Sequence, residues 1–137
     1  MKLQFEIEGR PQGKGRPRFS TRNGFVRTYT PENTRNYEKL VQTRFIEKYG
    51  NIEPIDKKIA LRIEAYFAVP KGTSKKKTFE LLSTYYPKKP DIDNVTKIIL
   101  DALNGLAFAD DNLVVYLEVA KYYATEEKVK VSIEVVE

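Results

Sequence analysis

The residues best equipped for chemistry occupy ten positions, Lys88-Lys89-Pro90-Asp91-Ile92-Asp93-Asn94-Val95-Thr96-Lys97, where two carboxylates, an amide and three ammonium groups crowd what reads as a helix start. If Asp93 opens the helix, a turn of about 100° per residue gathers Asp93, Asn94, Lys97 and Asp101 on one side and puts Val95, Ile98, Ile99, Ala102, Leu103 and Leu106 on the other. Asp91 lies just ahead of that helix, two residues from Asp93, so both carboxylates can aim at one point. This suits a hard divalent cation such as Mg²⁺, which takes one or two carboxylates and fills its remaining positions with water and substrate phosphate. The pair Asp110-Asp111 offers a further acid, after an Asn104-Gly105 helix stop and a short apolar link from Leu106 to Ala109. Lys97 then falls beside the metal. Taken singly, each acid also reads as a cap or turn residue, since Asp and Asn are ordinary N-caps, acids favour the positive end of a helix dipole and Asp110-Asp111-Asn112 suits a turn. Caps alone do not call for Asp91 in addition to Asp93, nor for Lys97 on the acid face.

Composition narrows the chemistry further. The chain has no His and no Cys, which excludes Ser-His-Asp and Cys-His nucleophiles, a His general acid or base, and zinc sites built on imidazole or thiolate. Hydrolysis by a carboxylate-held metal survives that exclusion. Lys and Arg number 24 against 19 acids, a net charge of +5, which favours a polyanionic partner. The bases are grouped. The stretch from Gly9 to Arg27 reads as a long loop of Gly, Pro and base in which Lys14, Arg16, Arg18, Arg22 and Arg27 are interleaved with Phe19, Phe25 and Tyr29. That pattern suits phosphate contact with aromatic stacking or anchoring nearby. Lys88 and Lys89 directly precede Asp91, where phosphate steering is their natural use.

The elements that must position these groups follow from periodicity. Leu3, Phe5 and Ile7 alternate with polar residues as a first strand, and Ile59 to Phe67 alternate as a second. Thr30-Pro31-Glu32 reads as an N-cap, a proline at the first helical position and an acid in the first turn, opening a helix to Tyr49 that Gly50 ends. A short helix through Phe79 and Leu82 precedes the acids. Val115 to Val119 and Val129 to Val135 read as a terminal hairpin. If Asp110 and Asp111 enter its first strand, they point to opposite sides. Asp111 then shares the inward side of Leu113, Val115, Leu117 and Val119, and Asp110 that of Tyr116 and Glu118. The 137 residues suit one domain, 1–137: an α+β fold, with a small mixed or antiparallel sheet and helices mainly on one face. Met1 to Glu8 is not a signal peptide and no apolar run approaches the roughly 18 residues of a membrane span, so no membrane is involved and a cytoplasmic location is expected.

The run Asp91-Ile-Asp93-Asn94-Val-Thr-Lys97, followed by Asp101-Ala-Leu and Phe108-Ala-Asp110-Asp111, resembles the signature of the RusA-type Holliday-junction resolvases. Their pattern reads D-x-D-N, a lysine four residues after the second acid, D-A-L, and a closing D-D pair. The match is close from Asp91 to Asp111 and looser along almost the whole chain. Lys14-Gly-Arg-Pro-Arg18 is similar to the N-terminal segment of many phage-type members. The resemblance implies a RusA-like fold and a Mg²⁺-dependent endodeoxyribonuclease (Mn²⁺ as a substitute) that cuts branched DNA at four-way junctions in recombination and repair. It implies Asp91, Asp93 and Asp111 as metal ligands and Lys97 as the catalytic lysine. A junction presents two like strands, so a twofold homodimer is also implied. Two other readings stand beside it: a DNA-binding protein without catalysis, gripping through Lys14 to Arg27 with its acids as caps, and a metal-dependent hydrolase of nucleotides or small phosphoesters. No recognition helix for base readout declares itself.

Overall fold

The apolar alternation of the first strand is realised as β1 (Lys2–Glu8), whose Leu3, Phe5 and Ile7 are buried while their neighbours face solvent. The computed structural model describes residues 1–22 and 24–136, with the side chain of Arg22 outside that description. After β1 come β2 (Arg18–Arg22) and β3 (Phe25–Tyr29), α1 (Glu32–Tyr49), β4 (Ile59–Ala68), α2 (Lys75–Leu81), α3 (Ile92–Leu103), β5 (Val114–Ala124) and β6 (Lys128–Val135). Four strands form a mixed sheet in the order β1-β6-β4-β5, antiparallel except for the parallel pair β4 and β5. Helices α1 and α3 pack on each other and on one face of this sheet. Tyr37, Val41 and Phe45 of α1, and Val95, Ile98, Ile99, Ala102 and Leu103 of α3, meet Ile59, Leu61, Ile63, Phe67, Val129, Val131 and Ile133 in a single core. The α+β class, with helices on one face of a mixed sheet, is therefore as the periodicity predicts.

Three expectations need correction. The stretch from Gly9 to Arg27 is loop only as far as Pro17, and β2 and β3 then pair as an antiparallel hairpin. Aromatic and β-branched residues on both sides of Asn23-Gly24 carry that signal in the sequence, beneath the charges. The last two strands are not a hairpin, because β4 lies between β5 and β6. Strands are about 4.8 Å apart, so the step over β4 is roughly 10 Å, within reach of the link from Ala124 to Lys128. Glu127 in that link accepts a hydrogen bond from the Ala68 backbone N–H at the end of β4 (3.2 Å). Finally, Pro31 rather than Thr30 occupies the cap position of α1, without a side-chain cap, and Glu32 is the first helical residue. Gly50 ends the helix as expected, with φ 72° and its N–H on the Ile46 carbonyl (2.7 Å).

Candidate active site

Asp91 stands at the N-cap of α3, its carbonyl accepting the Asn94 and Val95 N–H groups (both 3.1 Å), and Asp93 lies in the first turn. The apolar residues Val95, Ile98, Ile99, Ala102 and Leu103 bury one side of this helix. That burial leaves Asp93 and Lys97 exposed on the other side, with Asp101 half-buried. Asp93, Lys97, Asp101 and Asp111 line one cleft of about 520 Å³ between α3 and β5, floored by Ile92, Thr96, Leu100, Leu117 and Val119. Acids 18 residues apart in sequence thus share one solvent-open space.

Asp111 reaches this cleft by a route the strand pattern does not foresee. Asp111–Leu113 form a 3-10 turn and β5 begins at Val114, so the alternation reasoning about Asp110 and Asp111 does not apply. Val115 and Leu117, expected on a buried face, are exposed, on β5 at one edge of the sheet. Asp110 is the residue before the turn; its carbonyl accepts the Leu113 N–H (3.1 Å), and it is not among the residues lining the cleft.

Asp91 faces a neighbouring cleft instead, lined by Arg10 to Lys14, Lys89, Pro90 and Asn94. Lys89 Nζ lies 3.1 Å from its carboxylate, an ion pair exposed on both sides. Among the described residues no three acids are gathered as a ready-made metal cage. The donor set nonetheless fits Mg²⁺, which needs only one or two carboxylates beside water and substrate phosphate. Asp93 and Asp111 offer hard oxygens in one cleft, and Asp91 is held only by a solvent-screened pair of the kind that contributes little.

The basic residues divide into two groups. Lys14 does not face solvent: its Nζ lies 2.9 Å from Glu38 Oε2 and 3.1 Å from Asp101 Oδ2, with its side chain only 18 % exposed. Burial opposes its charge, but the hydrogen bonds it donates to Glu38 and Asp101 outweigh that and raise its pKa. Asp101 in turn lies 3.7 Å from Lys97 Nζ, one helical turn away. Lys14, expected to grip a partner's phosphate, is here paired with Glu38 and with the acid that neighbours Lys97. Arg16, Arg18, Arg27, Lys88 and Lys89 are exposed. Arg22 ends β2, with its side chain outside the described part.

Lys121 on β5 is a positioning residue that sequence reading misses. Its Nζ donates to the carbonyls of Lys88 (2.7 Å) and Pro90 (2.8 Å), the residues that lead the chain into Asp91. The same strut is fixed to the sheet by Tyr86, stacked on Phe67 with ring centres 4.0 Å apart. Arg10 donates to the Tyr86 hydroxyl (3.1 Å). In sequence Lys121 is one more polar residue on an alternating strand, and only the fold brings it to Asp91. The loop from β1 is clamped to the start of α3 in the same way: the Lys14 N–H donates to the Asn94 carbonyl (2.9 Å), and a Cβ on Gly13 would lie 2.8 Å from Pro90 Cβ.

A family model described as endodeoxyribonuclease RusA matches residues 8–134 of the chain. The chain is also similar to a protein of Bacillus subtilis (strain 168) called uncharacterized protein YqaN, 33% identical over 135 residues that cover 96% of this chain and 94% of that one.

Proposed function

Because the chain belongs to the RusA endodeoxyribonuclease family, we propose that it resolves four-way DNA junctions by metal-dependent phosphodiester hydrolysis, with the cleft between α3 and β5 as its active site. The observation that carries this reading is the meeting of Asp93, Lys97, Asp101 and Asp111 around one open cleft. Asp93 and Asp111 are the residues that would hold Mg²⁺, or Mn²⁺ in its place, and Asp91 would join them from the helix cap by turning away from Lys89. When bound, the ion supplies charge neutralisation at the phosphate and a water of lowered pKa. Lys97 is exposed at the rim of the cleft and directs its ammonium to a phosphate oxygen as charge develops there. Asp101 sits one turn further along, and Lys14 engages that carboxylate from behind, leaving Lys97 free to turn to substrate. Arg16, Arg18, Arg22, Arg27, Lys88 and Lys89 hold the flanking phosphates.

Two like strands must be cut to resolve a junction, so the working form is a twofold homodimer. The exposed outer strand β5, with Val115, Tyr116 and Leu117 at its open end, supports pairing between copies there. No helix among the described residues is long and apolar enough to cross a membrane, and the proposed place of action is the cytoplasm, with the DNA.

The test is a cleavage assay on junction, duplex and single-stranded DNA, with and without Mg²⁺, on the wild-type protein and Asp93→Asn. Symmetric nicks in the junction that need both Mg²⁺ and Asp93 are the expected outcome. Salt-sensitive binding with no Mg²⁺-dependent product would instead favour a DNA-binding protein without catalysis.

A further inference from the structure

The core does not use the described side chains of the β2–β3 hairpin. Residues 16–21 and 24–29 are all exposed, although a two-stranded ribbon alone in water is marginal and calls for something to pack on. Its register sorts the side chains into two unlike faces. Arg18 pairs with Tyr29, Ser20 with Arg27, and Phe25 follows on the same side; Phe19 with Thr28, and Thr21 with Val26, lie on the other. One face alternates cations with aromatic rings, while the other carries no charge. From Gly9 to Pro31 the sequence has six basic residues and no acid, so no neighbour within the segment neutralises the first face. The ribbon also springs from beside the catalytic cleft. Lys14 bonds to Asn94, and the Gly15 N–H donates to Thr34 Oγ1 (3.0 Å), where Pro31 closes the base of the ribbon against Gly15.

We infer that the Phe25–Arg27–Tyr29 face of this hairpin takes unpaired nucleotides at the branch point of DNA, with two bases stacked on Phe25 and Tyr29 and the phosphate between them on Arg27. This deepens the proposed function and rests on it for the choice of DNA. Spacing selects unpaired over duplex bases. Successive side chains on one face of a strand are about 6.8 Å apart, which sets Phe25 and Tyr29 roughly 13.6 Å apart with a cation between them. Bases in a duplex are stacked every 3.4 Å and offer no free faces at that interval. Splayed nucleotides can stretch to match it, and aromatic stacking is indifferent to base identity.

The experiment measures binding without divalent metal, so it does not depend on cleavage. Junction, single-stranded and intact duplex DNA are each titrated against wild type, Phe25→Ala/Tyr29→Ala, Phe19→Ala/Val26→Ala, and Phe25→Trp. Stacking predicts that the first double variant loses about tenfold or more per ring on junction and single strands, and far less on duplex. The second double variant keeps wild-type affinity. The chain has no Trp, so Phe25→Trp gives a single tryptophan, whose emission is read apart from that of the tyrosines; the variant should keep affinity and be quenched by single strands and by the junction. Equal losses on all three DNAs, an unquenched Trp, or loss confined to the Phe19/Val26 pair would overturn the inference. Asp93→Asn keeping the quench while losing cleavage separates this result from the catalytic reading.

Discussion

Lys14→Met tests whether Lys14 braces α3 or reaches for DNA. Its ammonium lies 2.9 Å from Glu38 and 3.1 Å from Asp101. At an effective dielectric of about 20, each attraction is worth about 5 kcal/mol before desolvation. Desolvation removes most of that, and the net loss falls between about 0–1 kcal/mol for an exposed pair and about 3–5 kcal/mol for breaking a buried one. With Lys14 and Glu38 both less than a fifth exposed, about 2–3 kcal/mol is expected, a fall in Tm of roughly 8 °C. The pKa of Lys14 is raised. Its contribution is therefore fully present below the ordinary lysine range and is lost only as pH rises through the higher folded value, so the Tm difference from wild type should persist to pH 10. The variant also frees Asp101 to capture Lys97, 3.7 Å away, and single-turnover junction cleavage should slow about tenfold, equivalent to roughly 1.4 kcal/mol. Adding Asp101→Asn should restore much of that rate, which loss of a phosphate contact would not permit. An unchanged Tm, together with weaker binding and a flatter salt dependence, would refute the bracing role.

Asp111→Asn should abolish Mg²⁺-dependent cutting and Asp110→Asn reduce it modestly, measured in single turnover; the reverse ranking would move the site by one residue. Arg16→Ala with Arg18→Ala should weaken junction binding at low salt and flatten its salt dependence by about two released counterions, whereas an unchanged slope would remove these residues from the interface. Tyr37→Phe should raise stability by about 1 kcal/mol in urea unfolding, because the Tyr37 hydroxyl is buried with no hydrogen-bond partner among the described residues and such an orphan costs roughly 1–3 kcal/mol; a loss of stability would show that the hydroxyl is satisfied in solution.

The sequence by itself determined most of the elements and narrowed the candidate chemistry. Alternation with period two marks β1, β4 and β6 because each buries one row of side chains against the helices, and the apolar side of α3 is readable for the same reason. Absence of His and Cys excluded imidazole- and thiol-based chemistry, and the short interval from Asp91 to Lys97 set two carboxylates and a lysine about one helix. What links residues distant in the chain was decided only by tertiary structure. Whether Asp111 opens a strand or a 3-10 turn depends on how the chain leaves Ala109, whose N–H bonds to the Ile55 carbonyl (2.9 Å), and no local pattern encodes that contact. Lys14 and Arg16 look alike in a basic loop, but the clamp on Asn94 turns Lys14 inward to Glu38 and Asp101 while Arg16 stays in water. Lys121 acquires its role because β5 runs beside β4 and past the strut that carries Asp91. Strand order turns on which strand has apolar neighbours on both edges, and β4 takes the place that local pairing would have given to a β5–β6 hairpin.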